Sequence, residues 1–121
     1  MYNAAVALKV FFSDFGLPAY TVGSVPDDVE LPYITYSLSV PEWNAKASMY
    51  AQVWDRTTSN ELIIRKADEI AAAIGHGKII DCDGGYLAIW PETPLIQIMT
   101  DGDYRSAYIN LSVNAYQNPG E

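Results

Sequence analysis

Residues 53–61 read VWDRTTSNE, and a Trp, an Asp and an Arg in succession, followed at once by two Thr and a Ser, have the look of a reactive site. A hydroxyl nucleophile needs a base within hydrogen-bond reach, and the only histidine in the chain is His76. It lies in Gly75-His76-Gly77, with no Ser, Cys or acid at a spacing diagnostic of a catalytic pair. A place just past a helix C-terminus also suits a cationic side chain for dipole reasons alone.

Asp81-Cys82-Asp83-Gly84-Gly85 invites a metal reading. If Asp81 opened a calcium loop, Asp83 would take the third position and Glu92 the twelfth. The turn position, which needs Gly, then holds Tyr86, and a ligand position holds Gly85. A hairpin turn of Asp and Gly explains the same residues with less strain. One His and one Cys make a zinc site equally poor. Neither G-x-x-x-x-G-K nor G-x-G-x-x-G occurs, so no phosphate loop is present. A carboxylate pair for hydrolysis stays open, with solvated surface acids the simpler reading. No cofactor, no metal site and no catalytic residue is expected.

Composition narrows the classes further. The 121 residues suit one domain, taken as residues 1–121, with half of them hydrophobic and 18% charged. Fifteen acids against seven bases give a formal net charge of −8. The bases are scattered with a single adjacent pair, Arg65-Lys66, so nothing tracks a phosphate backbone and dedicated nucleic-acid binding is not expected. The single cysteine, Cys82, allows no intrachain disulfide and fits a reducing compartment. The N-terminal stretch is apolar but lacks the basic start and the cleavage pattern of a signal peptide. No run reaches membrane-spanning length, so the expectation is a soluble intracellular protein with no membrane partner.

Around these residues stand the elements that must position them. Residues 2–15 place Ala4, Leu8, Phe11 and Phe15 at helical spacing, and Gly16 with Pro18 stops that helix. Residues 16–31, with two Gly, two Pro and three acids, read as a long loop. PYITYSLSV, residues 32–40, alternates Ile34, Tyr36, Leu38 and Val40 against Tyr33, Thr35, Ser37 and Ser39, the period of a half-buried strand. Residues 41–48 read as a connecting loop and residues 49–54 as its antiparallel partner.

Thr58 and Glu61 have the spacing of a capping box, so a second helix starts there, with Ile63, Ala67, Ile70 and Ile74 as its buried stripe and Gly75 as its end. Residues 78–82, a turn at 83–85, then 86–90 form two more strands. Residues 91–94 interrupt, 95–100 form a further strand, 101–103 a turn, and 105–117 a long last strand. The order predicts an α+β fold: an antiparallel β-sheet with two α-helices packed on one face. The other face carries Tyr, Ser, Asn and Gln, and is either solvated or used for contact.

This divides VWDRTTSNE into a helix cap at Thr58–Glu61 and a strand end at Trp54-Asp55-Arg56. In the plain reading, Asp55 and Arg56 are exposed turn residues. In the sharper one, Trp54, Arg56 and Trp43 belong to a protein–protein interface, since Trp, Tyr and Arg dominate interface hot spots.

The order of motifs then resembles a known family. PYITYSLSVPEWN, VWDRTTSNELIIRKADEIAAAIG, a Gly-Gly turn, a Pro-interrupted strand pair and a final YINLSVNAYQ are similar to tail terminator (tail-completion, head–tail joining) proteins of long-tailed bacteriophages and prophages. The likeness spans nearly the whole chain. Its most specific part is the W-x-R-x-T-S run into an Ala-rich helix ending in Gly: Trp54, Arg56, Thr58, Ser59 and residues 71–75.

The resemblance implies a protomer that assembles with copies of itself into a six-membered ring at the head–tail junction of a virion, built in the bacterial host cytoplasm. Such a ring ends polymerisation of the tail tube and presents a surface to the head connector. Its partners would be the tail tube protein and the connector protein, with DNA only as passing cargo, and it implies no reaction. An acidic protein would suit a lumen through which DNA must slide. The alternatives are another neck component, or a bacterial ligand-binding domain or small hydrolase using His76, Asp81 and Asp83.

Overall fold

A computed structural model describes residues 2–39 and 44–118. The chain begins with a helix, α1 (Tyr2–Phe12), that tightens into a single 3-10 turn (Ser13–Phe15) and stops at Gly16, whose φ of 81° is the left-handed conformation expected of a helix-ending glycine. Strands β1 (Ala19–Thr21), β2 (Tyr33–Tyr36) and β3 (Lys46–Arg56) follow, then α2 (Glu61–Ile74), β4 (Lys78–Cys82), β5 (Gly85–Asp101) and β6 (Tyr104–Gln117). They form one six-stranded sheet in the order β1-β2-β3-β6-β5-β4. This is the expected α+β architecture, with the helices on one face of a curled sheet.

The sheet departs from a purely antiparallel one at one edge. Ala19–Thr21, inside the segment read as loop, pairs parallel with β2, Ala19 opposite Ile34 and Thr21 opposite Tyr36. Three residues are too short to display an alternation, so the strand leaves no periodic trace. Its two neighbours in the ladder, Ile34 and Tyr36, carry the pattern instead.

Core burial follows the alternation. Ile34 and Tyr36 of β2, Met49, Ala51 and Val53 of β3, and Ala107, Ile109, Leu111, Val113 and Ala115 of β6 all point to the helix side and are buried. Against them α2 sets Ile63, Ala67, Ile70 and Ile74, the stripe read from sequence, and α1 sets Ala4, Leu8 and Phe12. Phe12 replaces Phe11 in the expected α1 stripe. The buried set keeps a strict four-residue step, while Phe11 and Phe15 flank it half-buried, meeting edge to face at 5.5 Å.

α2 lies across β3, β6 and β5 in the middle of the sheet, but α1 touches both β1 and β4, the two opposite edges. Only a curled sheet brings its edges to one helix. Two side chains of α1 fasten the closure: Lys9 donates to the Ala19 carbonyl of β1, and Asn3 Nδ2 donates to the Asp83 carbonyl beside β4 at 3.1 Å.

Several element ends differ from the sequence reading. β3 begins at Lys46 and ends at Arg56, longer at both ends than 49–54, because β6 offers it a ladder from Asn114 to Tyr104. The β5 chain does not stop at its prolines. It continues through a bulge in which Glu92, Thr93, Pro94 and Leu95 stand against Asn110 alone, between the pairs Pro91–Leu111 and Ile96–Ile109. The capping box at Thr58 is not formed. α2 starts at Glu61, whose N–H is held at 3.2 Å by Ser59 Oγ, while Ser59 N–H donates to Thr57 Oγ1 at 3.2 Å. Two successive hydroxyl turns thus lead the chain into the helix in place of one reciprocal cap.

Gly85, by contrast, is demanded by contact. A Cβ there would lie 2.0 Å from the Tyr116 carbonyl oxygen, so only glycine lets the start of β5 lie this close to the end of β6.

Candidate interaction surface

The sheet face turned away from the helices is built in cross-strand rows. Tyr33, Trp54, Ser106 and Met99 form one row, and Thr35, Gln52, Tyr108 and Gln97 the next. Tyr50 stands opposite Asn110, Ser112 opposite Ser48 on one side and Trp90 on the other, and Tyr116 opposite Tyr86. No described helix covers these rows.

The face is nevertheless ordered from within. Tyr50 and Tyr108 stack at 4.6 Å and Tyr86 and Tyr116 at 4.7 Å, each pair about 20° from parallel. Trp54 Nε1 donates to Thr35 Oγ1 at 2.9 Å, and Gln52 Nε2 to Ser106 Oγ at 3.0 Å. Thr35, Gln52, Ser106 and Ser112 are buried beneath this aromatic layer although they lie on the outer side of the sheet. A pre-ordered layer of aromatic rings and amides with few charges is the composition of an interface core.

Charge collects at one place on this face. The β5 bulge carries Glu92 over the sheet, where Ser112 Oγ donates to Glu92 Oε1 at 2.7 Å and the Lys46 ammonium lies 3.3 Å away. The Ser112 hydrogen bond first, then Lys46, holds the Glu92 carboxyl below the ordinary carboxylate range. Lys46 also lies 5.8 Å from the centre of the Trp90 ring. Burial beside Tyr50 pushes the Tyr108 hydroxyl up.

Of the residues singled out from sequence, the structure brings two together. Trp54 and Arg56 share the outer face at the end of β3, with the exposed Arg56 guanidinium 5.5 Å from the centre of the Tyr104 ring. Trp43 lies outside the described residues. The reading from sequence missed the two tyrosine stacks and Trp90. The alternation already placed the tyrosines on the outer face, but which ones stack depends on a register that one strand cannot reveal.

The residues weighed for catalysis do not converge. His76, Asp81 and Asp83 are exposed around β4, and among the described residues no three His, Cys, Asp or Glu side chains gather closely enough to hold a metal ion. Burial, foremost, pushes the Cys82 thiol up, the opposite of what an activated thiolate needs. Asp83-Gly84 is the two-residue turn between β4 and β5.

No protein-family model and no curated protein matches the sequence. A solved structure designated only by a serial identifier is similar in fold: it is 16% identical, with a TM-score of 0.65, over 95% of this chain and 94% of that one. At that identity the likeness speaks for the fold alone.

Proposed function

We propose that the chain is a tail terminator of a long-tailed bacteriophage or prophage, a structural protomer whose copies form a ring on the end of the tail tube. The observation that carries this reading is the outer sheet face, an uncovered aromatic and amide layer fixed by its own stacks and hydrogen bonds, with Trp54 and Arg56 at one end. A face organised before binding loses little entropy when a partner covers it. The sequence likeness of residues 53–75 to that family supplies the setting, and the α+β protomer is of the kind it implies.

In this reading the ring stops tube growth and joins the tube to the head connector. It carries no reaction and needs no cofactor. The net charge of −8 favours free passage of DNA through such a ring over capture. No described helix is long and apolar enough to cross a membrane, and the proposed location is the virion's head–tail junction.

Deletion of the gene from its phage or prophage tests the role. The expected result is tails of uncontrolled length, or finished tails that fail to join heads, restored by the gene supplied in trans. Tails of normal length on intact particles would reject it. Binding of the purified chain to tailless heads, with no binding to tube ends, would instead assign it to a neighbouring neck position.

A further inference from the structure

β5 is the longest strand, seventeen residues, yet β4 covers only its first five, Gly85 to Ile89. Beyond the bulge, residues 96–101 pair with β6 on one side and with no described strand on the other. The turn at Gly102-Asp103 makes Asp101 and Tyr104 a hydrogen-bonded pair, and alternation then aims the backbone groups of Ile96, Ile98 and Thr100 away from β6. This edge has no charged side chain between Glu92 and Asp101, and Ile98 and Met99 stand 41% and 50% exposed on its two faces. Natural edges are usually blunted by charge or proline. Here Pro94 and the bulge stop short of residues 96–100, which carry neither charge nor proline and are open to a further strand.

The opposite end of the molecule holds a complementary feature. A groove of about 750 Å³ runs between α1 and β4, lined by Val6, Val10 and Phe11 on the helix and by every residue from 78 to 83. A run of consecutive residues means that the groove follows the free edge of β4 rather than one face. By the same alternation, Ile79 and Asp81 aim their backbone groups away from β5 into it. Val6, Val10 and Ile79 are 48%, 67% and 57% exposed.

We propose that these two edges join copies of this chain: residues 95–101 of one copy add as a strand to β4 of the next, beside α1. Charge selects the direction. With Ile98 opposite Ile79, an antiparallel strand carries Asp101 past Lys78 to His76, away from the acids at the other end of β4. A parallel strand would set Asp101 opposite Cys82, between Asp81 and Asp83, and carry Asp103 to Gly84 beside Asp83. The antiparallel register also matches both outward positions of β4, Ile79 with Ile98 and Asp81 with Ile96, and gives Ile98 an apolar neighbour. Two different patches meet, so the contact is head-to-tail, the kind that closes into a ring when its rotation allows.

Disulfide trapping tests this in solution. In a Cys82→Ser background, one copy carries Ile80→Cys and the other Gln97→Cys, positions that the register sets directly opposite. At millimolar concentration under mild oxidation, the mixture should yield a covalent dimer, seen by mass, about tenfold above either variant alone, and Ile98→Lys in the second copy should lower it about tenfold by charging an apolar contact. Circular dichroism checks that each variant is folded. Absence of the mixed dimer, equal yields from single variants, indifference to Ile98→Lys, or a greater yield from Ile80→Cys with Met99→Cys each overturns the proposal. In the first case the β5 edge is left to another protein's strand. The tail-capping role stands apart, since tail length is read without reference to this contact.

Discussion

Phe12 of α1 stacks on Tyr36 of β2, with ring centroids 4.7 Å apart, planes 19° apart, and neither side chain more than 1% exposed. That contact seats α1 over the β1–β2 edge, while Asn3 reaches the other edge at Asp83. Removing the ring should loosen the helix that closes the curled sheet. Phe12→Ala is expected to cost about 3–5 kcal/mol, through lost burial and an unfilled cavity. Urea denaturation with an unchanged slope measures it, and a loss below about 1 kcal/mol would mean that α1 is not part of the core.

Gly85 and Gly23 separate two reasons for glycine. At Gly85 a Cβ would lie 2.0 Å from the Tyr116 carbonyl oxygen, whereas at Gly23 nothing lies within 4 Å and only the φ of 87° opposes a side chain. Gly85→Ala must therefore push β5 and β6 apart and should cost about 3 kcal/mol, the upper end for an overpacked contact. Gly23→Ala should cost about 1–2 kcal/mol, the left-handed conformation alone. Thermal unfolding of the two variants side by side ranks them, and a reversed order would contradict the close approach of β5 to β6.

The entry to α2 gives a contrast between neighbouring hydroxyls. Ser59 Oγ receives the Glu61 N–H at 3.2 Å, and Thr58 makes no corresponding bond. Ser59→Ala should cost about 0.5–1 kcal/mol and Thr58→Ala less than about 0.5 kcal/mol. Chemical denaturation resolves the pair. A larger loss at Thr58 would restore the capping box that the spacing suggested.

That pair also shows what the sequence could and could not disclose. Helix α2, with Ile63, Ala67, Ile70 and Ile74 inward, and strand β6 were legible because each displays enough turns or alternations to fix its period. Of the strand read over residues 32–40, only Tyr33–Tyr36 pairs as β2, Leu38 lies beyond its end, and Val40 lies outside the described residues. β1 was hidden because three residues display none. The ends of β3 were hidden because Lys46, Asp55 and Arg56 look like loop residues until β6 supplies a ladder for them. The outer face was legible as a polar-aromatic stripe. The Tyr50–Tyr108 stack and the Glu92–Ser112–Lys46 cluster were not, since both depend on register and on a bulge.

Glu92 supplies a pH dependence with a definite sign. Its carboxyl is held below the ordinary range by Ser112 and then Lys46, so the folded state binds its proton less tightly than the unfolded chain does. The stabilisation is present above the unfolded value of about 4.3 and is lost as pH falls through the lower folded value. Ser112→Ala should move the Glu92 titration back up, as followed by carboxyl NMR shifts, and should flatten the acid side of the stability profile. An unmoved titration would show that the hydroxyl does not set it.

Trp54 and Arg56 sit two residues apart on one face, yet they should respond differently. Trp54 is half-buried and bonded through Nε1 to Thr35, which is itself 7% exposed, so its loss damages the protomer as well as any contact. Trp54→Phe, which removes that bond, should cost about 1 kcal/mol. Arg56 is exposed, with its guanidinium 5.5 Å from the centre of the Tyr104 ring, so Arg56→Ala should change stability by less than about 0.5 kcal/mol. A loss of head–tail joining in a stably folded Arg56→Ala chain is therefore a statement about contact rather than folding. The expected result is a fall in complete particles, counted by electron microscopy, with the unfolding midpoint unchanged. Normal joining by this variant would remove Arg56 from the proposed surface and leave the aromatic rows to carry it.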